Sequence, residues 1–236
     1  LSFDVQRVLV LEPLRLGIGR GPDDLALTLA AQLAAARGVA LSEQEQREEA
    51  AGQFEIARQY VQKGIERHPE HLTFYLILVD VETRLGKPDE ALRLLEDARK
   101  KVGDHPQLLW SLGNLLIAGG KIDEAKKVIA KMQDDPQARP FAAFLDAEIK
   151  MLGGRWKEAV EGFEQARAGL RLWRGREMMT TLAHADFLAA GCYEKLGNPD
   201  QRVRALRRAL DADPSYAPAR GALVQALLEQ GSTEED

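Results

Sequence analysis

The hexapeptide GKPDEA at residues 86–91 returns almost unchanged as GKIDEA at residues 120–125, and the two glycines, Gly86 and Gly120, stand 34 residues apart. Extending the comparison both ways adds GQFEIA at Gly52, GRWKEA at Gly154, GNPDQR at Gly197 and GSTEED at Gly231. The spacings run 34, 34, 34, 43 and 34. A fixed period of this length marks an array of small supersecondary units, none of which buries its apolar face alone.

The offsets inside the repeat specify helices. Alanine follows the first four glycines by five residues (Ala57, Ala91, Ala125, Ala159), and four further on stands a large apolar residue: Val61, Leu95, Ile129, Phe163, with Leu206 in the next unit. Three beyond that comes a small or slim side chain, at Gly64, Ala98, Met132, Ala166 and Ala209. Steps of four and three share one helix face. Each glycine closes a preceding apolar-periodic stretch, as a residue in the left-handed conformation past a helix end does. Pro88 and Pro199 fall where a first helical turn needs no N–H. Breaks such as HPEH, GDHPQ, DDPQARP and DADPSYAP separate the units. Each unit therefore reads as a helical hairpin.

This pattern resembles the tetratricopeptide-repeat family over about residues 38–231. The small site of the family's first helix is matched by Val79, Gly113, Ala147, Ala190 and Val224, and its closing proline by Pro69 and Pro214 and nearly by Pro136. The resemblance implies an all-α, right-handed superhelical solenoid of antiparallel helix hairpins with about five to six repeats. The expected organisation is an N-terminal helical segment with a Gly-rich connector over 1–37 and a solenoid over 38–231. The solenoid divides into 38–71, 72–105, 106–139, an extended unit 140–182, 183–216 and a terminal helix 217–231, followed by an acidic tail 232–236. The longer unit is read as lengthened helices flanking a turn at Arg174 and Gly175.

Two departures matter. Arg202 stands where the repeat wants alanine, which is expected to weaken that helix contact. Around Gly52, Glu45 occupies the small site and ALSEQEQREEAA is polar throughout. Either Gly52 is a turn, or it lies inside one long helix whose partner is supplied by residues 23–37.

Composition narrows the function. The net charge of -5, with 29% charged residues of mixed sign, lacks the basic excess a nucleic-acid binder needs. The single cysteine, Cys192, makes neither an internal disulfide nor a multi-thiolate zinc site. No uninterrupted run of about eighteen apolar residues is present and the N-terminal stretch lacks signal-peptide flanks, so no membrane insertion and a cytoplasmic location are expected. The chain begins at Leu1 rather than methionine, which leaves a longer parent protein open.

A stack of hairpins presents a concave face lined mainly by its first helices. Ten residues before successive glycines stand Leu76, Trp110, Phe144 and Phe187, and six before them Asp80, Asn114, Glu148 and Gly191. The resemblance implies that the first of these sites lines the family's groove. Large aromatics there anchor a peptide or helix by removing apolar area from water, with Asp80, Asn114 and Glu148 selecting basic or hydrogen-bonding groups. The competing reading makes the ladder core packing, and Asp146 and Lys150, at expected core sites, favour it by turning Phe144 inward. The carboxylate clamp of chaperone-tail grooves is not expected, since Asp80, Asn114 and Leu145 stand at the matching sites.

Other chemistry is thin. GIGRG at residues 17–21 lacks both the GxGxxG spacing and a P-loop lysine. His68 and His71 have metal-like spacing but no third ligand nearby in sequence. Paired carboxylates at 134–135 and at 211 and 213 sit in repeat junctions. The expectation is a non-catalytic scaffold that holds a protein or peptide partner and needs no cofactor or metal. Two alternatives stay open: self-association through terminal helices, since YAPARGALVQALLEQ is apolar on more than one face, or the regulatory arm of a larger enzyme.

Overall fold

Why the chain folds into helices is visible at their ends. The computed structural model describes residues 22–172 and 176–233, and among them every regular element is an α-helix. One compact unit, ending at Lys121, holds α1 (Pro22–Glu43), α2 (Arg47–Arg67), α3 (Leu72–Arg84), α4 (Pro88–Val102) and α5 (Pro106–Ala118). A second, beginning at Ile122, holds α6 (Ile122–Gln133), α7 (Arg139–Leu152), α8 (Trp156–Leu170), α9 (Arg176–Lys195), α10 (Pro199–Ala212) and α11 (Ala217–Thr233). Proline opens α4, α5 and α10, and acidic residues enrich first turns, Asp89 and Glu90 in α4 and Asp123 and Glu124 in α6.

The repeat glycines cap the helices that precede them. Gly86, Gly120, Gly154 and Gly197 take φ of 74°, 71°, 72° and 65°. At each, the following N–H donates five residues back: Lys87 to Glu82 O, Lys121 to Leu116 O, Arg155 to Lys150 O and Asn198 to Tyr193 O, at 2.8–3.0 Å. That is the Schellman closure, which satisfies carbonyls left over at the helix end.

Gly52 is not such a turn. It lies inside α2, and the hairpin before it closes at Glu45, with φ of 63°. The long-helix alternative is the observed one, and α1 is the partner. It extends over Pro22–Glu43, past the 23–37 segment expected to supply it. The expected turn at Arg174 and Gly175 and the GIGRG stretch lie outside the described residues. The 20-residue α9 is longer than α5 or α7, which places extra residues of the extended unit at its start.

Within the first unit, Ala31, Ala34 and Ala35 of α1 share a core with Phe54, Ala57 and Val61 of α2 and Phe74, Ile77, Leu78 and Val81 of α3. By length and composition alone, α1 from Asp24 to Glu43 is also apolar enough to cross a membrane. The count of uninterrupted apolar residues missed it because Thr28, Gln32 and Arg37 break the run. Ala31, Ala34 and Ala35 face protein, while Leu25, Leu29 and Leu33 are exposed.

In the second unit, Val203, Leu206 and Ala209 of α10 pack with Ala183 and Ala190 of α9 and Ala219 and Ala226 of α11. Small residues set the spacing of the helices. A Cβ on Gly162 of α8 would come within 2.8 Å of the Ala147 Cβ of α7, so two small side chains let these backbones approach.

Candidate functional site

In the first unit the ladder divides between core and surface. Leu76 is buried with almost the whole of α3, whereas Trp110 of α5 remains partly exposed. The polar residues one turn on are spoken for by their own helices. Both carboxylate oxygens of Asp80 accept from Arg84 Nε at 3.0 Å, and the Asn114 side-chain amide donates to the Trp110 carbonyl at 2.8 Å. Burial pushes the Asp80 carboxyl up to about 6 despite the pull of Arg84.

In the second unit Phe144 has no exposed surface. Its ring meets Phe163 edge-on at 5.4 Å and lies 5.6 Å from the His184 ring. Phe144 is therefore a core residue, and its expected role as a groove anchor is corrected here. The reason is the helix rotation that Asp146 and Lys150 signalled: they form an ion pair at 2.8 Å on the partly exposed side of α7.

Phe187 of α9 is partly exposed and packs at 66° against Tyr216, 5.8 Å away. His184 bridges Phe144 to Tyr216, with 6.3 Å between its ring and the tyrosine, and desolvation lowers its pKa to about 4, so the imidazole is neutral. Glu148 retains 7% of its surface, and its Oε2 has no hydrogen-bond partner. Burial raises its carboxyl to about 7.

Three ion-pair sites escaped the sequence reading. Arg58 of α2 holds the buried Glu82 of α3 through two bonds, 2.7 and 2.6 Å, and also reaches Glu55 at 2.9 Å. Asp186 of α9, 1% exposed, accepts from Arg167 Nε at 2.9 Å and lies 2.8 Å from Arg208 Nη2 of α10, which also binds Glu164. Arg202 is not a weak substitute for alanine. It reaches Glu194 of α9 at 3.0 Å and Glu229 of α11 at 2.6 Å, tying three helices together.

The remaining candidates have structural partners. His68 Nε2 lies 2.8 Å from Asp24 Oδ1, and His71 packs its ring 5.0 Å from Phe74. Cys192 is fully buried, which pushes its thiol up to about 11 and makes it a poor nucleophile. Among the described residues no three His, Cys, Asp or Glu side chains gather as a metal site.

Comparison with known proteins agrees with the hairpin architecture. Among solved structures, a chain of the APC/C hetero-tetramer Cut9-Hcn1 superposes with a TM-score of 0.65 at 17% identity, covering 91% of this chain and 38% of that one. Yeast Tom70 gives 0.65 at 16%, covering 90% and 48%. TTC0263 from Thermus thermophilus, a thermophilic TPR protein, gives 0.60 at 18%, covering 84% and 100%. The chain thus spans less than half the length of the first two, and identities this low carry the fold alone. No curated protein sequence matches it. Models of the tetratricopeptide repeat match residues 82–145 and, separately, residues 36–92 and 183–236. Together these matches take in more than half of a chain whose hairpins close on the glycines of that repeat, and the chain belongs to the tetratricopeptide-repeat family.

Proposed function

We propose that this chain is a non-catalytic scaffold whose units each bind protein segments on their first helices, with Trp110 as the anchor in the first unit and Phe187 as the anchor in the second. Tetratricopeptide-repeat folds mediate protein–protein interaction, which sets the class. The observation that carries the reading is the split of the ladder: Leu76 and Phe144 are consumed by core packing, while Trp110 and Phe187 stay partly exposed. Half-buried aromatics fixed by neighbours lose little entropy on binding and remove much apolar area from water.

The test compares the wild-type chain with Trp110→Glu and Phe187→Glu in a pull-down from source-cell lysate read by mass spectrometry, after circular dichroism and thermal melting of each. Variants that melt normally and lose specific partners support the scaffold. Variants that fold and retain every partner overturn it.

A second reading, self-association, is favoured by α11, where Val224, Leu227 and Leu228 are 57%, 42% and 67% exposed. Exposed apolar side chains clustered on one helix mark a contact surface. Light scattering over a concentration series separates the two: a mass that rises with concentration and falls back in Leu227→Lys assigns α11 to a subunit interface.

A further inference from the structure

Five carboxylates are buried among the described residues, and four have a basic partner. Asp24 meets His68, Asp80 meets Arg84, Glu82 meets Arg58, and Asp186 meets Arg167 and Arg208. Glu148 is the exception, with Oε2 buried and unpartnered. The basic residue next on its own helix, Lys150, is turned to Asp146 at 2.8 Å. A buried acid without a counter-ion is costly, and the four pairs show how this fold otherwise meets that cost.

The surroundings of Glu148 follow from register. Phe144, one turn before it on α7, has its ring 5.6 Å from that of His184 of α9, tilted at 48°. The two helices are separated by the single antiparallel helix α8 and run in the same direction. One to two turns on from His184 come Phe187 and Gly191, which the register sets alongside Glu148. Phe187 is partly exposed, Gly191 is exposed, and no atom lies within 4 Å of the position a Gly191 Cβ would take. The space beside Gly191 is therefore open, on the stretch of α9 that the register brings opposite Glu148, with the partly exposed Phe187 one turn before it.

We infer that Glu148 receives a lysine or arginine side chain of the partner polypeptide, whose methylene stem lies along Phe187. This rests on the scaffold reading above and names the chemistry its second unit selects. The ligand cation supplies the counter-ion that the protein does not, and the aromatic ring covers its apolar stem. Specificity follows from the same cost. A partner lacking the cation leaves the carboxyl buried and unpaired.

The experiment selects a randomised peptide library displayed on phage against the folded wild-type chain at about pH 8, where the carboxyl is ionised. Enriched peptides are synthesised with their lysine or arginine intact and with norleucine in its place, and titrated by fluorescence anisotropy against wild type, Glu148→Gln and Phe187→Ser. The expected result is that norleucine weakens binding to wild type about tenfold or more and leaves binding to Glu148→Gln nearly unchanged. Equal norleucine losses for both chains, or no loss for either, overturn the assignment of Glu148. If such peptides still depend on Phe187, the scaffold reading survives. Failure to enrich any peptide that depends on Phe187 or Trp110 overturns both. Circular dichroism confirms that each variant is folded, and Glu148→Gln, which removes a buried charge at constant shape, is expected to melt no lower than wild type.

Discussion

Glu45 stands in the turn between α1 and α2 where Gly86 stands between α3 and α4, with φ of 63° and 74°. The bonds match as well: Gln46 N–H donates to Leu41 O at 3.0 Å, as Lys87 N–H does to Glu82 O at 2.9 Å. The first hairpin is thus closed by the same motif with a residue that pays for the left-handed conformation. Glu45→Gly is expected to raise stability by about 1 kcal/mol, and Gly86→Ala to lower it by a similar amount. Urea unfolding decides: a lower midpoint for Glu45→Gly means that the turn carries no strain.

That substitution explains what the sequence left illegible. The period is written in glycines, so a hairpin closed on glutamate drops out of it, and Gly52 falls at the expected interval while lying mid-helix. Four turns and the buried small sites Val79, Ala147 and Ala190 were readable because their chemistry repeats at fixed offsets. The Arg58–Glu82 and Asp186–Arg208 pairs were not. Each joins different helices across more than a helix length of sequence, a distance no local pattern reports.

Two glycines of α2 give opposite predictions. A Cβ on Gly64 would lie 2.4 Å from Phe74 Cε1, whereas one on Gly52 would meet nothing within 4 Å. Gly52→Ala is expected to stabilise by up to about 1 kcal/mol through helix propensity. Gly64→Ala must displace a fully buried ring and is expected to cost about 1–3 kcal/mol. Thermal melting of the two variants should move in opposite directions, and a rise for Gly64→Ala would show that Phe74 relocates freely.

The elevated carboxyl of Glu148 makes stability depend on pH. Its folded pKa of about 7 lies above the unfolded value, so the folded chain holds the extra proton between about pH 4.5 and 7. Stability from this group is full below that window and is lost as pH rises through it. Glu148→Gln removes the dependence. Its stability relative to wild type should therefore improve by about 3 kcal/mol between pH 4.5 and pH 8. Asp80 and His184 titrate in both chains and cancel in the comparison. A difference that stays flat with pH would mean that the carboxyl is solvated.

Arg202 ties α10 to Glu194 and Glu229. Arg202→Ala restores the residue common at this point of the repeat and removes both ties. Hydrogen exchange in α11 should accelerate while that in α7 stays unchanged, and raising salt should shrink the difference, since both glutamates are half exposed. Unchanged α11 protection would assign its anchoring to Ala219 and Ala226 alone.

The principal helix contacts in each unit join elements that are next, or next but one, along the chain. Bringing them together closes only short loops, so little chain entropy is lost before contacts form. Assembly on the order of microseconds to milliseconds follows for each unit, fast for its length. The same locality limits the damage from a change in length. A helix can lengthen, as α9 has, by adding turns at one end, while the pairings on either side form in their original order.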